Sequence, residues 1–153
     1  MTNQTLLSIK ISRRKIAAAV FTDGKVNYVD ARTLSNVHTK AEESLLAFLN
    51  WIIEKFEVKS VGLELPDYPV ETRTTRMTEL AVQTLRNRAI PIWEVTKQML
   101  FVAYAMPPLK TRKRLHVIVL SFWPHLNSMR FDRSIFDAAA VGYYVHVERL
   151  LHH

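Results

Sequence analysis

The sequence predicts an α/β fold: a five-stranded mixed sheet, a three-strand meander followed by alternating helices and strands, flanked by helices. Three features carry the prediction. The first third alternates with a period of two and contains an Asp23-Gly24 hairpin signal; at Thr39 the apolar spacing becomes helical; beyond it, short apolar runs alternate with helical stretches. Long crossovers between the first, fourth and fifth strands imply parallel neighbours at the centre of the sheet.

Leu7, Ile9 and Ile11 alternate with Ser8, Lys10 and Ser12, the pattern of a strand with one apolar face. Lys15 to Thr22 reads as the second strand, and Asp23-Gly24 turns the chain into a third over Lys25 to Leu34. Thr39 with Glu42 forms a capping-box signature, and Leu45, Leu46, Leu49, Ile52, Ile53 and Phe56 recur at helical spacing, predicting a helix from about Lys40 to Phe56. Val58 to Leu65 is a short apolar run stopped by Pro66-Asp67, as expected of a buried strand. A basic helix follows over about Thr75 to Ala89, with Met77, Leu80, Ala81 and Leu85 inward; then come a strand at Ile90 to Val95 and a helix capped by Thr96. Pro107-Pro108 breaks the chain before a helical pattern through Leu115, Ile118, Val119 and Phe122, which Pro124 ends. The last helix spans about Ser134 to Leu151, and Ala138, Ala139 and Ala140 give it a small-residue face suited to close approach on a sheet.

At 153 residues with 48% hydrophobic composition, the chain is the size of one core, so residues 1–153 are read as a single domain. The absence of Cys excludes disulfides, zinc–thiolate sites and a thiolate nucleophile, so a metal would need carboxylates or histidines. His116, His125 and His146 lack ligand spacing, and three glycines could hardly build a phosphate-binding loop or a dinucleotide fingerprint. No stretch approaches a membrane span or a signal peptide, which makes a cytoplasmic location the expectation. A net charge of +7 favours a polyanionic partner, nucleic acid first.

Four segments in this order resemble the RuvC resolvase branch of the ribonuclease H-like superfamily: Leu6-Leu7-Ser8-Ile9-Lys10, Val61-Gly62-Leu63-Glu64, Thr111 through Phe122-Trp123-Pro124, and Phe136-Asp137-Ala138-Ala139-Ala140-Val141. The resemblance implies a site where divalent cations, usually magnesium, are held by an aspartate on the first strand, a glutamate on the fourth and carboxylates on the last helix. Hard cations want oxygen ligands, and a metal pair can activate water while stabilising the leaving oxygen of a phosphodiester. Glu64 and Asp137 match two of those positions. The first-strand aspartate falls at Lys10, and the other last-helix carboxylate at about Ser134, with Asp132 nearby but out of register. An ammonium has no lone pair to offer and repels a cation, so Lys10 is expected to stand in for a metal by pairing with Glu64 and Asp137.

The resemblance thus implies a nucleic-acid-binding domain, catalytically impaired and needing no cofactor, acting as a homodimer on DNA, branched DNA included. Arg73, Arg76, Arg86, Arg88, Lys110, Arg112, Lys113 and Arg114 are the candidate phosphate contacts. Two alternatives stay open: an active Mg- or Mn-dependent endonuclease using Glu64, Asp137 and a nearby acid such as Asp67 or Asp132, and a protein-interaction scaffold. The residues also have simpler readings. Glu64 could be a solvated edge residue, Asp137 a helix N-cap, Lys10 an exposed position on an uncovered sheet face, and the basic set a solvated surface. Tyr104, Trp123, Tyr143 and Tyr144 could stack on bases, but helical spacing favours the core.

Overall fold

A computed structural model describes residues 4–66, 72–103, 119 and 133–151. The meander forms as the alternation requires: β1 (Thr5–Ile11), β2 (Lys15–Thr22) and β3 (Lys25–Thr33) are consecutive antiparallel neighbours. Asp23 and Gly24 both adopt positive φ, at 52° and 81°, as a tight turn matched to the twist of its strands demands. Helix α1 (His38–Phe56) carries the chain across the sheet to β4 (Ser60–Glu64); α2 (Thr72–Asn87) then returns it to β5 (Ile92–Val95). Helices α3 (Lys97–Ala103) and α4 (Arg133–Leu151) follow. The strand order is β3-β2-β1-β4-β5, with β4 parallel to both β1 and β5, so the mixed sheet with a parallel centre is as the sequence predicts.

Both faces of the sheet are covered. Leu7, Ile9 and Ile11 of β1 join Ile16, Ala18, Val20, Val61 and Leu63 under α1 and α2, whose contributions include Leu45, Phe48, Leu49, Ile52, Met77, Ala81 and Leu85. The alternate residues Leu6, Ala17, Ala19 and Phe21 pack beneath α4 with Ala138, Val141 and Val145. Tyr143 and Tyr144 lie half-buried against this second core, as their spacing suggests. Leu46 and Leu80, predicted inward, are half-buried, whereas Phe48 is fully buried.

Two local expectations need correction. Helix α1 begins one turn-fraction early, at His38, with Val37 as N-cap and no side-chain cap hydrogen bond, so the Thr39–Glu42 capping box does not form; Glu42 instead accepts a bond from Arg76 Nε. Helix α2 starts at Thr72 and stops at Asn87, three residues before and two residues short of the expected limits. At Thr96 the expectation holds: its Oγ1 accepts the Met99 N–H at 3.1 Å. The helical pattern around residues 115–122 lies outside the described residues, apart from helical Val119.

Candidate functional site

Parallel pairing of β1 with β4 puts Lys10 opposite Glu64 at the carboxyl ends of both strands. Register partners project to the same side of a sheet, and here that side faces α4. Near the far end of the helix, Arg149 donates to Ser60 Oγ at 3.0 Å and to Gln4 Oε1, fastening it to the amino ends of β4 and β1. Helix α4 therefore runs antiparallel to β1, which brings Asp137, on its second turn, over Lys10.

Close approach makes this possible. A Cβ on Gly142 would sit 2.0 Å from Phe21 Cε1, so the helix backbone there lies directly against the ring. Ala138, Ala139 and Ala140, all fully buried, keep the preceding turn equally slim.

Lys10 Nζ donates to Asp137 Oδ2 at 2.8 Å and stands 3.4 Å from Glu64 Oε2. The first distance is that of a charge-assisted hydrogen bond, the second of a looser ion pair. Side-chain exposure is 15% for Lys10, 7% for Glu64 and 2% for Asp137, so all three charges are largely withdrawn from water. Glu64 is thus neither an edge residue nor solvated, Asp137 lies within the helix and is no N-cap, and Lys10 is not on an uncovered face. Ser134, at the position of the second last-helix carboxylate, is buried in the first turn of α4.

Burial pushes the Glu64 carboxyl above its ordinary value; Lys10 pulls it back, Asp137 adds to the rise, and Lys97 opposes it. The sign of the stability effect follows. A carboxyl whose folded pKa is raised binds more protons when folded, so its contribution worsens as pH climbs through the carboxylate range. Glu64→Gln should therefore gain stability relative to the unmutated protein between about pH 4 and pH 7, since Lys10 keeps Asp137. Urea titrations of both proteins across that range would check this; a constant difference would contradict it.

The described residues do not by themselves fit a metal pair. Among the described residues no group of three or more His, Asp or Glu could hold a metal ion. Glu64 and Asp137 offer oxygens, yet the ammonium already bonded to one and beside the other has no lone pair for a cation. Asp67 and Asp132 lie outside the described residues.

The basic set divides. Arg73 donates to the carbonyls of Asn36 and Ser35, Arg76 to Glu42, and Arg88 to Asn50 Oδ1 and Glu54 Oε1, both at 3.0 Å. These three arginines fasten α2 and its exit to α1 and the loop before it. Arg86 is exposed near the end of α2, while Lys110, Arg112, Lys113 and Arg114, with Tyr104 and Trp123, lie outside the described residues. Lys97 escaped the sequence reading although it follows the carboxyl end of β5, where parallel strands deliver their loops to one common edge.

No protein-family model matches the chain, and no curated protein sequence does. Solved structures do. Thermus thermophilus RuvC superposes with a TM-score of 0.77 at 10% identity, covering 96% of each chain. The same protein in complex with a Holliday junction substrate gives 0.77 at 11% identity over 96% of each chain. The yeast mitochondrial Holliday junction resolvase gives 0.66 at 12% identity, over 97% of this chain and 80% of that one. At these identities the likeness establishes the fold: the chain has the ribonuclease H-like architecture of RuvC and other Holliday junction resolvases.

Proposed function

We propose that this chain is a nucleic-acid-binding domain on the RuvC scaffold that does not cut, because the Lys10 ammonium stands in electrostatically for a metal ion. The observation that supports this reading is the position of Lys10 Nζ, 2.8 Å from Asp137 and 3.4 Å from Glu64, both buried carboxylates. A lysine there offsets one of the two carboxylate charges, part of what a metal cation would supply, so the fold keeps its centre. It cannot bind and acidify a water, so the step that would hydrolyse a phosphodiester has no source of hydroxide.

A charge of +7 and the solved complex of T. thermophilus RuvC with a Holliday junction substrate support DNA, branched DNA included, as the partner. A homodimer would match the approximate two-fold symmetry of such a junction. Arg86 and the Lys110–Arg114 stretch are the members of the basic set that remain candidates for phosphate contact, since Arg73, Arg76 and Arg88 bind within the protein.

One assay tests the reading: binding and cleavage of four-way junction, duplex and single strand, with magnesium and with manganese. Binding should weaken steeply between about 50 and 200 mM salt, and no product should form. Metal-dependent nicking that vanishes in Glu64→Gln would overturn the loss of cleavage. No binding at low salt, with a stable protein partner recovered instead, would favour an interaction scaffold. Lys10→Asp should acquire magnesium affinity by calorimetry; a folded variant with no gain would remove the electrostatic argument.

A further inference from the structure

Trp51 is 38% exposed on the outward side of α1, where Ala47 and Lys55, one turn before and after it, are exposed too. A single exposed apolar side chain is ordinary, but Trp51 is not single. Its ring centre lies 5.9 Å from that of Tyr28 and 6.4 Å from that of Phe56, both half-buried, and 6.3 Å from that of Phe48, which is buried beneath it. An aromatic surface therefore runs from α1 to the outer strand β3, seated on the core and fixed by it. Trp, Tyr and Phe are the residues enriched at the centres of protein interfaces, and a preordered patch loses little entropy when it binds.

The rim of this surface is cationic. Arg32 Cζ lies 4.7 Å from the centre of the Phe48 ring and 5.5 Å from that of Trp51; Lys55 Nζ lies 5.7 Å from Trp51 and 6.0 Å from Phe56. Both side chains rest their stems on the rings and carry their charge to the edge. Among the described residues Lys55 has no carboxylate partner, and Arg32 engages Asp30 Oδ2 through Nε alone, at 3.2 Å. Asp30 offsets part of that charge, and its oxygens also accept from Tyr28 Oη at 3.0 Å and the Ala31 N–H at 2.8 Å. The α1 acids Glu42 and Glu54 lie on the opposite flank of the helix, where Arg76 and Arg88 bond them. The Ala31 bond also decides how a partner approaches. Amide groups alternate in direction along a strand; the Leu34 N–H points to the Arg14 carbonyl, so that of Ala31 points away from β2, to the open edge. With that donor capped, and a register shift opposite Val20 and Phe21, the edge is closed to strand addition, and a partner docks on the rings through its side chains.

We infer that this α1–β3 flank is a protein-docking surface whose occupant is an acidic segment of a partner protein carrying an aromatic anchor. The anchor packs on Trp51, Tyr28 and Phe56, and carboxylates beside it meet Arg32 and Lys55. Binding energy at interfaces concentrates in such Trp, Tyr and Arg side chains, while the cations reject basic segments that the rings alone would accept. A second copy of this chain fits worse: a two-fold contact centred on Trp51 would bring Arg32 and Lys55 against themselves, on a chain whose net charge is already +7. The Lys10 centre faces α4, on the other side of the sheet, so a partner seated on α1 leaves it uncovered.

The test uses short fluorescein-labelled peptides of one length as probes: glutamate alternating with phenylalanine, glutamate alternating with serine, and lysine alternating with phenylalanine. Binding is followed by fluorescence anisotropy and by the indole N–H signals of nitrogen-15-labelled protein, with that of Trp51 assigned through Trp51→Phe. The glutamate–phenylalanine peptide should bind and shift the Trp51 signal while leaving that of Trp93, which packs on the second core, in place. The other two peptides should bind at least about tenfold more weakly. Trp51→Ala should weaken the first peptide about tenfold, the cost of an interface anchor, and Arg32→Gln/Lys55→Gln about fivefold, with loss of the preference for glutamate over lysine. If the glutamate–serine peptide bound as tightly, the contact would be mere attraction of acid to a basic chain, and the aromatic surface would be overturned. Equal binding of the lysine–phenylalanine peptide would overturn the acidic occupant. No binding of the glutamate–phenylalanine peptide, or binding that leaves the Trp51 signal unmoved, would overturn the docking surface itself. The indole measurement uses the unmutated protein, so it decides the matter even if the variants unfold.

Discussion

Lys10→Met should lower the stability of the fold by about 3–5 kcal/mol at neutral pH, the cost of leaving buried carboxylates without their cation. Asp137 is 2% exposed and Glu64 7%, and methionine keeps the length and apolar stem of lysine while removing only the charge. The loss is therefore electrostatic and not a packing defect. Burial already raises the Glu64 carboxyl, and Lys10 is the strongest influence holding it down. Without Lys10 it rises further, so the penalty is complete at neutral pH and shrinks as acid protonates the pair. Urea unfolding at several pH values would measure this. The triple change Lys10→Met/Glu64→Gln/Asp137→Asn should recover much of the loss, because neutral amides carry no uncompensated charge. A variant as stable at pH 7 as the unmutated protein would show that the three groups are not coupled.

Gly142→Ala should cost about 2 kcal/mol, against the ordinary trend on helices. Alanine normally gains about 1 kcal/mol over glycine in a helix interior. Here the new Cβ would lie 2.0 Å from Phe21 Cε1, and Phe21 is fully buried, so either the ring or the whole helix must move, an overpacking cost of about 3 kcal/mol. The second effect wins. Phe21→Leu in the same chain should relieve the clash, which a double-mutant cycle of unfolding energies would register as coupling. Helix displacement also lengthens the Lys10–Asp137 bond, so Gly142→Ala and Lys10→Met should fall short of additive. Simple additivity, or an alanine variant more stable than the parent, would contradict this account of how α4 seats.

Much of the fold was legible because its signals are local. The period-two alternation of Leu7, Ile9 and Ile11, the Asp23-Gly24 turn and the helical spacing from Leu45 to Phe56 each depend on neighbours a few residues apart. Errors arose where a distant segment intervened. Thr39 and Glu42 have capping-box spacing, but the first turn begins at His38 and Arg76, 34 residues away from Glu42, takes the carboxylate. Arg73, Arg76 and Arg88 read as a free basic face, yet their partners lie on α1 and the loop before it. Ser8 and Lys10 looked like the wet side of a half-buried strand because the helix that covers them is 127 residues further along the chain.

The sequence by itself determined the strand and helix order, the parallel centre of the sheet, and the presence of a lysine, a glutamate and an aspartate at three positions that resemble a nuclease centre. It could do so because periodicity and turn chemistry are short-range properties. Only the tertiary structure decided that the three meet. Whether Lys10 is a solvated strand residue or the cation between two buried carboxylates depends on register between β1 and β4, on the direction of α4, and on the clearance at Gly142. Charges acquire strong interactions when burial removes water from between them, and that burial is a property of packed elements, not of any one of them.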